Sequence, residues 1–438
     1  MNSILWSIMP SLYQFQEESV EQLLAGKRIV VAGMGTGKSA MAMCYAEQMY
    51  NKTGKRKVLV VTTASKSRVK NSEGLDDFSA DAKKFCSPSF VASLSSSLTL
   101  ISWHKLKAWV EQHWGDLCDY VVIFDEVARS KGYTTGMGKA FLKITKRNPD
   151  WAGFTGTPGD SWEAYISYFV ATGLVRNKTS YLRDYANVQT YKGYPEIVGW
   201  RNEDKLRNMW AKISYAPDTS IVAQQMPKEQ YRTITFSKPR AYSTVLKTRM
   251  RASSDPANPT DDDFLDTAGA MVAELRRLCF TKDKQQWVAD FVEGLESGCI
   301  FFYNYIVTGD LLEEIIKKAL GKDGRVWRID GKHHEIPTAE TIGPKDMVVC
   351  QWQSGSEALN LQMLHYWVAV ELCYSNSMLQ QAMGRIRRIG QEHSMLFQRL
   401  VTSGTIEQDI IKCLAEKKEF SEKTWCISNN LIENEEDG

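Results

Sequence analysis

Residues 30–40 read "VVAGMGTGKSA" and stand between a short apolar run and the helix former "AMAMCYAEQMY". Gly35 and Gly37 let the backbone around Thr36 turn its N–H groups toward phosphate oxygens. Lys38 can reach β- and γ-phosphates, and Ser39 can ligate Mg2+. The N-terminus of the following helix adds its dipole. Gly35, Thr36, Gly37, Lys38 and Ser39 are thus a candidate cradle for ATP. The strict pattern would place glycine where Ala32 stands, but its lysine–serine end is intact. Further on, "YVVIFDEVARSKG" (120–132) ends an apolar strand in Asp125 and Glu126. Two carboxylates there call for a cation. Asp125 would hold Mg2+ through water, and Glu126 would orient and deprotonate the attacking water.

A third stretch, "QQAMGRIRRIGQ" (380–391), carries Arg385, Arg387 and Arg388 within four residues. A charge run is ordinarily a solvated face. A phosphate cradle in the same chain gives it another use, because ATP hydrolysis gains much of its rate from an arginine supplied across an interface. Arg385 and Arg388 are three apart and would face the same way on a helical turn. Arg387 points elsewhere, toward a phosphate backbone or solvent.

These residues need strands and helices to position them. One set of β-rich runs is "RIVVAG" (28–33), "KVLVVTT" (57–63), "LTLIS" (98–102), "YVVIFDE" (120–126) and "WAGFTG" (151–156). A second is "GCIFFYN" (298–304), "RVWRID" (325–330), "DMVVCQ" (346–351), "YWVAVEL" (366–372) and "SMLFQRLV" (394–401). Unbroken Val/Ile/Phe runs suit parallel strands covered on both faces, and alternation with helices suggests βαβ units. The expected fold is α/β, with two lobes of mostly parallel sheet flanked by helices. The expected divisions are an N-terminal lobe (1–175), an inter-lobe helical insertion (176–285), a C-terminal lobe (286–425) and an acidic tail (426–438).

At 438 residues, two or three domains are expected. Hydrophobic content of 43% and charged content of 24% are ordinary for a globular protein. The net charge of +2 means that any basic groove must be local. Nine scattered cysteines without a CxxC pair, and six histidines, argue against a zinc site or a disulfide framework. No signal peptide and no membrane-length apolar run is legible, so a cytoplasmic location is expected.

The ordered motifs resemble superfamily 2 helicase-type ATPases, and among them the Swi/Snf-like, chromatin-remodeller-type DNA translocases. "LYQFQEESVEQLL" (12–24) resembles the family's adenine-reading segment, with Gln16 as the adenine contact. Residues 32–39 match motif I, "DEVARSKG" (125–132) motif II and "FTGTPGD" (154–160) motif III. "MPKEQYRTITFSKPRAY" (226–242) and "LRRLC" (275–279) are similar to its inter-lobe signatures, and "FFYNY" (301–305) and "RIDGK" (328–332) to the start of its second lobe. "SGSEALNLQ" (354–362) resembles motif V. Motif VI lands on Gln381, Gly384, Arg385 and Arg388, and "RIGQ" followed by "LVTSGTIEQDI" (400–410) is the most branch-specific part. The chain departs from the family at Ala128, where histidine is usual, and in the sparse glycines of motif V.

The resemblance implies two RecA-like lobes, ATP with Mg2+, Gln381 at the nucleotide, and a motor on duplex DNA. Its compact length points to a bacterial or bacteriophage source, and a monomer is expected. Strips such as "KTGKRK" (52–57), "TTASKSRVK" (62–70), "ISWHKLKAW" (101–109) and "KPRAYSTVLKTRMR" (238–251) offer Lys, Arg, Ser and Thr to phosphates without reading sequence. Two alternatives stand beside the translocase: a strand-separating helicase for forks or recombination intermediates, and a nucleotide-gated DNA-binding module with little turnover.

Overall fold

The computed structural model describes residues 11–33, 35–64, 66–67, 74–159, 161–191, 194–221, 226–253, 260, 263–333, 336–338, 340–355, 361–388, 390–416, 420–429 and 431. The chain forms two compact units, Met1–Gln225 and Met226–Gly438.

In the first unit, β1 (Ile29–Val31), β2 (Lys57–Thr62), β3 (Leu98–Ser102), β4 (Tyr120–Asp125), β5 (Trp151–Thr155) and β8 (Ser214–Tyr215) form one sheet in the order β3-β2-β4-β5-β1-β8. Every pairing in it is parallel. Alternate side chains enter two separate cores. Val58, Val60, Val121 and Ile123 join one, while Leu59, Val61, Val122 and Phe124 join the other. Both faces are therefore apolar, which explains why the strand sequences show no polar alternation.

The second unit repeats the plan. Its strands are β9 (Glu229–Phe236), β10 (Cys299–Tyr303), β11 (Val326–Ile329), β12 (Met347–Gln351), β13 (Tyr366–Ala369) and β14 (Met395–Thr402), ordered β11-β12-β10-β13-β14-β9 and parallel throughout. Ile300, Phe302, Val348 and Cys350 face one core; Phe301, Tyr303, Val349 and Val368 face the other. All ten strands expected from the apolar runs are present. The fold is α/β, with two units that each hold a parallel six-stranded sheet flanked by helices.

The stretch 176–285 is more divided than a helical insertion. It holds the helices Lys178–Tyr185, Glu203–Ile213, Arg240–Thr248 and Ala268–Cys279. It also supplies the antiparallel pair β6 (Ala186–Tyr191) and β7 (Tyr194–Trp200), and β8 and β9 become the sixth strand of each sheet. The division at Gln225/Met226 falls inside this stretch. β9 escaped the apolar-run reading because, as an edge strand, it leaves Gln230, Tyr231, Arg232 and Thr233 exposed. Most of the acidic tail, residues 432–438, lies outside the described residues. Among those described, no helix is long and apolar enough to cross a membrane.

Candidate functional site

Because every strand of the first sheet runs the same way, all its strand ends meet at one edge. The loop after β1 leads there into α2 (Lys38–Thr53). Gly35 and Gly37 both adopt left-handed backbone, with φ of 73° and 78°. At Gly37 a Cβ would also displace the Gln16 amide, whose Nε2 bonds the Thr36 carbonyl. Gln16, buried in α1 (Gln14–Leu24), donates from Nε2 to the Thr36 carbonyl at 2.8 Å and accepts from the Tyr13 N–H at 2.9 Å. The adenine-segment glutamine and the cradle are thus one connected piece. Thr36 is buried and its hydroxyl closes the loop onto the Gly33 carbonyl at 2.8 Å. Lys38 begins α2 and its ammonium donates to the Ala32 and Gly33 carbonyls at 3.1 and 3.0 Å.

β4 brings the acidic pair to the same edge. β2 lies beside β4, and the register Val61↔Phe124 sets Thr62 next to Asp125. Asp125 is buried; its Oδ2 accepts from the Thr62 hydroxyl at 2.6 Å and from the Lys66 ammonium at 3.1 Å. The same ammonium lies 3.4 Å from Ser39 Oγ. Burial works to raise the Asp125 carboxyl, but Lys66 and the Thr62 hydroxyl outweigh it and hold the group below the ordinary carboxylate range. Burial works to lower Lys66, and Asp125 more than offsets it, leaving the amine raised. Ser39 and Asp125, the two groups assigned to a metal, therefore already share one cation, supplied by the chain itself.

Glu126 comes next, with φ of 51° and ψ of 52°, a left-handed conformation that costs a non-glycine residue about 1–2 kcal/mol. Its Oε2 lies 3.5 Å from the Thr155 hydroxyl at the end of β5. Ala32, at the position where the strict cradle pattern has glycine, donates its N–H to the Thr155 carbonyl at 3.0 Å. Motifs I, II and III are thus joined within one unit through Thr155.

The arginines stand in the second unit. The helix Asn376–Met383 stops before them, so helical spacing does not govern where they go. Arg385 is buried, whereas Arg388 is half-buried and donates from Nε to the Gly384 carbonyl at 3.1 Å. Arg387 pairs with Glu229 of β9 at 2.7 Å. Gln381 is half-buried on the helix. Gln391, the last residue of "RIGQ", is buried; its Nε2 lies 2.9, 3.0 and 3.1 Å from the carbonyls of Gln362, Leu364 and Ile386. It ties the segment after motif V to the arginine turn. Residues 356–360 of motif V are outside the described residues.

Two strips differ from the sequence reading. "KTGKRK" leads into β2, and two of its lysines are engaged internally and not held out to phosphates: Lys55 pairs with Asp150 and Lys57 with Asp116, each at 2.8 Å. Trp103 of "ISWHK" is buried on Phe124 and donates its indole N–H to the Asp125 carbonyl at 2.8 Å, while Lys105 is exposed. Arg68–Lys70 of the "SKSRVK" strip lie outside the described residues; Lys238, Arg240 and Lys247 are exposed. The missed contributors to the site are Thr62, Lys66 as a partner of Asp125, and Trp103. Their signal is strand order, which no single run of sequence carries.

No protein-family profile matches the chain. It is similar to the uncharacterized ATP-dependent helicase YqhH of Bacillus subtilis, 25% identical over 193 residues, 44% of this chain and 34% of that protein. It is also similar to the DNA repair protein RAD5 of Cryptococcus neoformans, 30% identical over 107 residues, 23% of this chain and 9% of that protein. The matches thus take in about a third or less of these relatives' length. Among solved structures, the Sulfolobus solfataricus SWI2/SNF2 ATPase core in complex with dsDNA matches with a TM-score of 0.41 and 14% identity, covering 93% of this chain and 92% of that one. The likeness to an ATP-dependent helicase bears out the helicase-type resemblance that the motifs carry.

Proposed function

We propose that this helicase-type chain is a DNA-dependent ATPase that moves along duplex DNA by hydrolysing ATP. The observation that carries the reading is the meeting of Gln16, Lys38, Ser39, Asp125 and Glu126 at one sheet edge, with Ser39 and Asp125 about a single cation. The loop amides and Lys38 would cradle the phosphates. Ser39 and Asp125 offer a hydroxyl and a carboxylate, oxygen donors of the kind Mg2+ takes, and the Lys66 ammonium already occupies the position between them. Mg2+ held there would offset charge on the transferring phosphoryl group. Glu126 would orient the attacking water, and Thr155 would steady Glu126. The resemblance gives Arg385 and Arg388 the charge-balancing role that arginines play in related chemistry. The relatives named as helicases support ATP use and action on nucleic acid; the duplex track and a monomeric motor are our reading.

The test is steady-state ATP hydrolysis with duplex DNA, single-stranded DNA or RNA, run beside Arg388→Ala. Stimulation by duplex that disappears in the variant is expected. Stimulation by single strands or RNA alone would favour the strand-separating alternative. ATP binding without turnover under every condition would leave a nucleotide-gated clamp and sink the motor.

A further inference from the structure

We propose that Lys66 is a resident counter-ion that holds the position between Ser39 and Asp125 and yields it to the divalent cation arriving with a nucleoside triphosphate. The proposal rests on the reading of Ser39 and Asp125 as the metal-holding pair. Its geometry is direct. The Lys66 ammonium lies 3.1 Å from Asp125 Oδ2 and 3.4 Å from Ser39 Oγ. The Asp125 side chain is 2% exposed and that of Lys66 17%. A carboxylate so buried needs a cation at all times, because an unpaired buried charge is strongly unfavourable. An ammonium and a hydrated divalent ion cannot both occupy that place, so one must leave when the other binds.

Lys66 is suited to leave. It belongs neither to the loop after β1 nor to β4, but to the turn after β2, which is closed by its own bonds. The Ser67 N–H reaches the Thr63 carbonyl at 3.1 Å, and the Ser67 hydroxyl reaches the Ala64 carbonyl at 2.8 Å. A flexible four-carbon stem can swing the ammonium without unfolding that turn. The Phe78 ring, 5.2 Å from the ammonium, offers a cation–π contact that no metal at the pair would contest. Thr62 keeps its bond to Oδ2 in either state, so the carboxylate stays aimed while its cation changes. Loading the nucleotide would then free the Lys66 ammonium from the pair while the turn after β2 keeps its own bonds.

The experiment measures Mn2+ binding by electron paramagnetic resonance on the full chain without nucleotide or DNA, for wild type, Lys66→Gln and Lys66→Arg. Removing the competing charge should tighten Mn2+ binding by Lys66→Gln about tenfold or more, while Lys66→Arg stays near wild type. Equal or weaker binding by Lys66→Gln overturns the proposal, as does no binding by any form. Should Lys66→Gln fail to fold in EDTA, recovery of its fold by Mn2+ supports the counter-ion role, and failure to recover overturns it. No arm uses hydrolysis, so a protein without ATPase activity would refute the motor and still leave this result readable.

Discussion

Trp103 fixes Asp125 from behind: its indole N–H donates to the Asp125 backbone carbonyl at 2.8 Å, and its ring stacks on Phe124 with centroids 5.6 Å apart. The donor comes from the turn after β3 and the acceptor from the end of β4, two strands that do not pair directly but flank β2. The contact therefore crosses β2 at the sheet edge where the carboxylates stand. Trp103→Phe keeps much of the apolar volume and removes the donor. It is expected to cost about 1–3 kcal/mol in stability, since the loss leaves a buried carbonyl unpaired. Denaturant melts measure that loss, and ATP turnover should fall by more than nucleotide affinity does. A variant with unchanged turnover would show that Trp103 supports the core alone.

Glu126 is held left-handed by its neighbours. The Asp125 carbonyl before it is bonded, and Val127 after it packs so closely on β5 that a Cβ at Gly153 would meet it at 3.0 Å. Strain kept in this way at a candidate catalytic residue is expected where geometry matters more than stability. Glu126→Gly should be close to neutral in melts, within about 1 kcal/mol, because relief of the left-handed penalty offsets the added chain entropy. Both it and Glu126→Gln should lose hydrolysis by about 100-fold or more while still binding ATP. Large destabilisation by Glu126→Gly would show that the backbone conformation is not strained.

The contrast between Trp103 and Lys38 explains what the sequence could reveal. Lys38, Ser39, Asp125 and Glu126 are readable because each stands just past or at the end of an apolar strand, and parallel strands carry their C-terminal residues to one edge. The ten strands themselves are readable because both faces are buried. Trp103 and Lys66 take their roles from the order β3-β2-β4, which the chain does not spell out. "SKSRVK" and "ISWHK" look like solvated basic strips until that order is known. β9 hides for another reason: an edge strand covered on one side reads as polar. The arginine turn was readable as chemistry but not as geometry, because the helix ends at Met383 and the spacing argument ends with it.

Arg387 and Arg388 are neighbours with different work. Arg387 is paired with Glu229 at 2.7 Å on a partly exposed surface, with side-chain exposures of 41% and 17%. Such a pair contributes about 0.2–1 kcal/mol. Arg387→Ala and Glu229→Ala should therefore each be mildly destabilising, and the double variant should lose less than the sum of the two. Arg388→Ala should leave melts nearly unchanged and lower ATP turnover by about 1,000-fold, the scale of a lost arginine at a transferring phosphoryl group. If Arg387→Ala lowers turnover equally, the assignment of roles between the two is reversed.

Asp330 should set an acid limb of stability in the second unit. It is buried at the end of β11, where its Oδ1 accepts from the Lys332 and His333 N–H groups at 2.8 and 2.9 Å. Its Oδ2 accepts from Arg328 Nε at 2.9 Å and from the Tyr303 hydroxyl at 3.1 Å. Burial works to raise the carboxyl, but the backbone N–H donors, His333 and Arg328 outweigh it and hold the group well below its ordinary value. A carboxyl lowered on folding contributes stability that is fully present above its unfolded pKa of about 3.9 and is lost as pH falls through the lower folded value. Wild type should therefore lose stability progressively below about pH 5. Asp330→Asn should be less stable than wild type at neutral pH by about 2–3 kcal/mol, since bonds to a charged acceptor are replaced by weaker ones. That gap should narrow steadily as pH falls below about 4, because acid removes from wild type the charge the variant already lacks. Urea midpoints at pH 7, 5, 4 and 3 measure both limbs, and a gap that stays constant down to pH 3 would show that Asp330 does not report the acid transition in that range.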